Sequence, residues 1–165
     1  MNLKRVVRHL LMNRWRVALA FPPRTLSAIE DSIVASHKTH AGQVRFAVEG
    51  ALHSALLLRG EDARTRAVEV FSQLRVWDTE QNNGVLIYLL LADRDVEIVA
   101  DRGVHAKVDA NDWESICRTM EAEFRLSNYE SGVVKGIGDV TELLKKHFPA
   151  SVTSFEELSP DPVVL

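Results

Sequence analysis

Cysteine is almost absent from this chain. Cys117 stands alone among 165 residues. No intrachain disulfide can form, and no zinc pattern of the Cys-x-x-Cys kind exists. No Gly-x-Ser-x-Gly elbow is present, so a nucleophile of that type is excluded. Gly136-x-Gly138 lies inside a helical pattern and not after a strand, which excludes a dinucleotide fingerprint, and no glycine-rich phosphate loop occurs elsewhere. Residues 85–92 form an apolar run of only eight, against the ~20 that a spanning helix needs. Internal repeats and low-complexity tracts are also missing.

Negative charge is missing from one end. The first acidic residue is Glu30, and before it stand Lys4, Arg5, Arg8, Arg14, Arg16 and Arg24. Residues 1–29 therefore carry +6, and the net charge of -3 leaves -9 for the remainder. A basic leader on an acidic body has three outlets: it folds back on the acidic surface, meets anionic lipid, or meets an acidic partner. Arg14 and Arg16 interrupt its apolar run and no small-residue cleavage site follows, so it does not read as a signal peptide, and a cytoplasmic protein is expected, at most peripheral to the inner face of the membrane. Leu3, Val6, Val7 and Leu10 fall at helical spacing beside Lys4, Arg5 and Arg8. Such a helix either packs its apolar face on its own domain and leaves the basic face in water, or lies on a membrane through residues 1–21. Nucleic acid is not an expected partner, because the body is acidic and the leader lacks interleaved aromatics.

The rest is present in ordinary amounts. Hydrophobic residues make up 46% and charged residues 26%, which fits one domain with one sizeable core. The spacing of Leu26, Ile29 and Ile33 predicts a helix over 25–37, with Ser27 and Glu30 as a capping box. Alternation predicts a half-buried strand over 43–49. Ala63, Ala67, Val70, Phe71 and Leu74 predict a helix over 62–77. Residues 84–92 read as a central strand buried on both faces, parallel to 43–49 through a βαβ crossover and antiparallel to 95–101. Helices follow, one with Trp113, Ile116, Cys117, Met120 and Phe124 on one face, and one over 128–147 with Val133, Ile137, Val140 and Leu144 inward. Asn111 with Glu114 has capping spacing for the first of them. Gly132, Gly136 and Gly138 cost helix propensity, which suggests close contact with another element. The expected architecture is an αβα sandwich: a basic, helical leader over 1–24, an α/β domain over 25–149, and a flexible tail over 150–165.

Strand order brings Asp78, Asn82, Asn83 and Asp101 to one sheet edge, with Asp109 approaching from the next helix. Hard cations want several oxygen ligands, and these side chains offer them. The same residues equally cap helices and shape turns, and Arg102 is placed to neutralise Asp101. His37 and His40 read as surface histidines, and Cys117 as an inert core residue.

Three patterns together carry a family resemblance: Phe71-Ser72-Gln73-Leu74-Arg75-Val76-Trp77 closing a helix, Asn82-Asn83-Gly84-Val85-Leu86-Ile87, and Val96-Glu97-Ile98 leading to a glycine turn, with Tyr129 and Gly132 beyond. Over roughly residues 26–148 the chain resembles the TPM-domain family of small α/β domains. The resemblance implies an αβα sandwich, and it links the chain to membrane-associated processes, to divalent-cation binding at an acidic pocket and to phosphatase activity. Two positions depart from the family pattern. Asn82 replaces the aspartate before Asn-Gly, and Asp101-Arg102-Gly103 replaces Gly-x-Gly. The expected function is a non-catalytic interaction domain working with a membrane-associated protein partner, with no required cofactor and at most weak Ca²⁺ or Mg²⁺ binding. The alternative is a metal-dependent phosphatase, in which Arg102 binds phosphate and Asp101 or Asp78 holds the cation.

Overall fold

Strand β2 (Gly84–Leu90) is buried along its whole length, and the molecule is arranged around it. A computed structural model describes residues 3–150 and 157–165. β2 pairs in parallel with β1 (Gln43–Glu49), from Gln43 opposite Gly84 to Glu49 opposite Leu90. On its other side it pairs antiparallel with β3 (Asp95–Ala100). The predicted pairing is therefore the observed one, and β2 is interior in the order β3-β2-β1-β4.

Side chains of β2 alternate between two cores, as strand geometry requires. Val85, Ile87 and Leu89 join Val44, Phe46 and Val48 of β1 in the larger core. That face is covered by α3 (Pro23–His37), α7 (Ala110–Arg125) and α8 (Tyr129–His147). Leu86, Tyr88 and Leu90 face the smaller core under α4 (Ser54–Leu58) and α5 (Ala63–Gln73). Two helical layers on a mixed sheet make the αβα sandwich. α7 and α8 pack closely because Gly132 and Gly136 lack a side chain: a Cβ on Gly136 would lie 2.3 Å from Met120 Sδ. Gly138 meets nothing within 4 Å, so close contact accounts for two of the three helical glycines.

Several local predictions shift. β1 is not half-buried: Gln43 and Glu49 are buried too, because α5 and the C-terminal residues cover that face. The capping box at Ser27 is not used. α3 starts earlier at Pro23, where proline loses no hydrogen bond and its fixed φ suits a first turn. α5 stops at Gln73, because Arg75 turns to a φ of 51° and ends the helix before 77. Asp109, rather than Asn111, caps α7. The leader is helical as expected but in two pieces, α1 (Leu3–Leu11) and α2 (Arg14–Ala20), with the Asn13 side chain accepting from Arg16 N at the start of the second.

Periodicity leaves 150–165 without an element. The structure places a strand there, β4 (Val163–Val164), parallel to β1. Gln43 Oε1 accepts from the amides of Glu157 and Leu158, and Leu158 is buried in the smaller core. A strand of two residues is too short for alternation to announce. Residues 151–156 lie outside the described part of the chain.

Candidate functional site

The edge predicted to carry a site is the one where β1 and β2 begin and β3 ends. Asp101 N donates to Gly84 O at 2.9 Å, which fixes Asp101 beside the Asn82-Asn83-Gly84 entry to β2. Its side chain caps the four-residue helix α6 (Arg102–His105) by accepting from Arg102 N at 2.7 Å. Asn82 takes a φ of 51°, and its Oδ1 accepts from Arg102 Nη2 at 3.0 Å. Asn83 is 1% exposed. Its Nδ2 donates to Ala41 O, and its backbone N donates to Thr79 Oγ1. Gly103 is required here, since a Cβ would lie 2.6 Å from Asn82 O.

Asn82, Asn83 and Asp101 are thus brought together as predicted. Asp78 and Asp109 are exposed, and Asp109 Oδ1 accepts from Asn111 N at the start of α7. Among the described residues, no group of three or more histidines, cysteines or carboxylates is placed to hold a metal. Two oxygens at this edge stay unsatisfied: Asn83 Oδ1 and Asp101 Oδ2 are buried without a hydrogen-bond partner among the described residues. Buried orphan oxygens are uncommon and mark either an ion or water position or a strained turn.

His37 and His40 are not surface histidines. His37 Nε2 accepts from Val44 N at 2.8 Å, and His40 is 1% exposed with Nε2 2.8 Å from Ser36 Oγ. Burial, with the charge of His37 second, lowers the His40 pKa to about 4. Both rings brace the turn into β1. The inert reading of Cys117 fits its surroundings: burial first, then Glu97 and Glu121, push the thiol up to about 12, so it stays protonated.

The opposite edge, where β2 ends, carries the larger opening. It was legible only as a charge asymmetry. Asp93 receives Arg5 Nε at 2.8 Å and Arg8 Nη2 at 2.9 Å. His9 Nε2 lies 3.1 Å from the same carboxylate, while His9 Nδ1 accepts from Leu52 N. Burial alone would raise the Asp93 carboxyl, but contacts from Arg5 and His9 hold it below the usual carboxylate range. Of the three outlets for the basic leader, folding back on the acidic body is therefore realised for Arg5 and Arg8.

The side of α1 bearing Arg5, Val6 and His9 faces the protein, with His9 buried and Val6 packed on the smaller core, while Leu3, Val7, Leu10 and Leu11 are exposed. The packing that helical spacing predicts, with the apolar stripe inward and the basic face in water, is therefore only partly met: of the stripe Val6 turns inward while Leu3, Val7 and Leu10 stay exposed, and Lys4 and Arg8 are exposed as well. The physical reason is Asp93: a half-buried carboxylate is stabilised by pairing, and Arg5, Arg8 and His9 of α1 supply the partners. Between the leader and the start of α8 lies a groove of about 1050 Å³ lined by Trp15, Arg16, Leu19, Arg24, Arg94 and Tyr129, among others. Among the described residues, no carboxylate pairs with Arg14, Arg16 or Arg24.

No described helix is long and apolar enough to cross a membrane. No protein with a curated description matches the chain. The solution structure of the BA42 protein from the psychrophilic bacterium Bizionia argentinensis is similar at 27% identity and a TM-score of 0.75, over 86% of this chain and 93% of that one. The N-terminal domain of a protein from P. gingivalis shares the fold at 18% identity and a TM-score of 0.63, over 78% of this chain and 81% of that one. The family model of the TPM domain matches residues 18–143, which spans all three motifs and both sheet edges, and the chain belongs to the TPM domain family.

Proposed function

We propose that this protein is a non-catalytic interaction domain, and that the arginine-lined groove at the end of β2 receives an acidic segment of a membrane-associated protein partner. One observation carries this reading: the groove combines Arg16 and Arg24, which form no ion pair with a described carboxylate, with the exposed apolar side chains of Trp15 and Leu19, while Glu130 on its lining accepts from Thr25 Oγ1. Its volume of about 1050 Å³ is at the upper limit for small-ligand pockets and suits a peptide or helix laid lengthwise. An amide-shift titration with a Glu- and Leu-rich amphipathic peptide tests it. Shifts should cluster at Trp15, Arg24, Arg94 and Tyr129 and vanish in an Arg24→Glu/Arg94→Glu protein. Shifts spread evenly over the surface, or unchanged in that variant, would refute the reading.

A second reading rests on the orphan oxygens of Asn83 and Asp101. They supply two of the several oxygens a hard cation needs, with water completing the shell. Only one of the two carries charge, and Arg102 Nε lies 3.9 Å from Asp101 Oδ1, so affinity for Ca²⁺ or Mg²⁺ is weak. The same position is where metal-dependent phosphatase chemistry would have to sit, with the exposed Arg102 meeting phosphate. Calorimetry with Ca²⁺ on wild type and Asp101→Asn distinguishes a site from a turn. A heat that persists in the variant removes Asp101 from any metal or phosphatase account.

A further inference from the structure

We infer that the outward apolar stripe of α1 seats this protein on an anionic lipid bilayer. This goes beyond the partner groove, and it rests on the interaction-domain reading only in that it brings the groove to the membrane.

Leu3, Val7 and Leu10 lie on one side of α1 and do not line the groove. Leu3 is 72% exposed and Leu10 71%. Helices in globular proteins turn such a stripe inward. Here the inward side sets Arg5 and His9 against Asp93 and Val6 against the smaller core, with Arg8 reaching the same carboxylate from the exposed flank, so Leu3, Val7 and Leu10 are held outward by the docking and not by fraying. Leu11, Trp15 and Leu19 extend the exposed apolar surface along the rim of the groove. An amphipathic surface of this kind lies in the headgroup region with its leucines toward the acyl chains, and tryptophan favours that depth.

Charge selects the occupant. Arg14 opens α2 three residues beyond the end of α1, it is exposed, and no described carboxylate pairs with it. Arg16 and Arg24 stand nearby in the same state. No residue before Glu30 is acidic, so nothing on the leader repels an anionic headgroup. A second copy of the chain on this face would bring the unpaired arginines against their own duplicates, which like-charge repulsion disfavours.

The experiment is co-sedimentation of the full chain with vesicles of phosphatidylcholine containing phosphatidylglycerol, and with vesicles of phosphatidylcholine alone. Binding is expected to the first, weakened by salt, and little to the second. Val7→Glu/Leu10→Glu should weaken it about tenfold or more. Arg14→Gln should weaken it about fivefold. Val68→Glu, an equally exposed apolar site on α5, should leave it unchanged. Circular dichroism melts of the variants confirm folding, which these exposed positions should not alter. Absence of binding to anionic vesicles, or full binding by the Val7→Glu/Leu10→Glu protein, overturns the inference. So does a wild-type dimer in sedimentation velocity that becomes monomeric in that variant, since a second copy then covers the stripe. The peptide titration separates the two readings: a protein that answers the acidic peptide and ignores vesicles loses the bilayer and keeps the groove, and one that binds vesicles and ignores the peptide does the opposite.

Discussion

Tyr88 donates its hydroxyl hydrogen to Glu49 Oε2 across 2.7 Å, joining β2 to β1 through side chains as well as backbone. Arg66 Nε reaches the same oxygen at 2.8 Å from α5. One carboxylate therefore ties two strands to a helix inside the smaller core. Glu49→Gln keeps the shape and removes the charge that both donors need. It should cost about 2–3 kcal/mol in urea unfolding. Tyr88→Phe leaves the Glu49–Arg66 pair intact and should cost about 1 kcal/mol. A larger loss for Tyr88→Phe than for Glu49→Gln would mean that the carboxylate is not the centre of the network.

His40 makes stability depend on pH. Its folded pKa is about 4 against 6.5 unfolded, so the unfolded chain binds more protons between these values. The neutral ring's contribution is present in full above about pH 6.5, falls as pH drops, and is gone below about pH 4, a loss of roughly 3 kcal/mol. The difference in unfolding free energy between wild type and His40→Gln should narrow across this window. A constant difference from pH 7 to pH 4 would show that the ring is not held neutral.

Asp95 works in the opposite sense. Burial, then Glu97, Glu121 and Asp93, raise its carboxyl from 3.8 to about 6. Its charge is thus unfavourable in the folded state above pH 6, and the penalty fades as pH falls toward 3.8. Asp95→Asn should stabilise the protein at pH 7 by about 1–2 kcal/mol after screening, and by almost nothing at pH 4. Thermal melts at the two pH values read this directly.

Asp93 holds the leader, so Asp93→Asn should release α1 while leaving the sandwich folded. Hydrogen exchange in residues 5–11 should quicken tenfold or more, by about 1.4 kcal/mol or greater in local stability. Exchange in β2 should be unchanged. Equal protection of α1 in wild type and variant would assign the docking to Val6 and its apolar neighbours in the smaller core.

Two glycines give opposite expectations. A Cβ on Gly84 would sit 1.9 Å from Val76 O, a backbone atom that cannot step aside. Gly84→Ala should cost about 3 kcal/mol or more. Gly138 faces open space within α8, and Gly138→Ala should stabilise by about 0.5–1 kcal/mol. Chemical denaturation of the pair tests whether close approach, rather than turn conformation, is why Asn83 is followed by glycine.

Much of the sandwich was legible because its strongest signals are local. Eight unbroken apolar residues with turns on both sides specify a central strand, and the stripes of α7 and α8 specify what covers it. The neighbourhood of Asn82, Asn83 and Asp101 followed from strand order alone. The placement of Asp78 and Asp109 did not, because a loop's path determines which way its side chains point, and no periodicity describes a loop. The seating of α1 was hidden for a different reason. It depends on Asp93, more than eighty residues away, being half-buried and drawing positive partners. The buried state of His40 was equally non-local, since it comes from Thr141 on α8 meeting Ser36 on α3.

The two residues of β4 have a consequence for self-association. Leu165 N donates to Val48 O, and Val163 lies opposite Ala47, so these residues occupy lateral hydrogen-bonding groups at the end of β1. An uncovered β1 would be a flat, apolar template open to strands of other molecules. A pairing so short is weakly held by itself, and it is anchored by Leu158 in the smaller core and by Gln43 on the amides before it. Residues 157–165 thus work as a stopper, and a chain cleaved ahead of Glu157 would open that part of β1 to strands of other molecules.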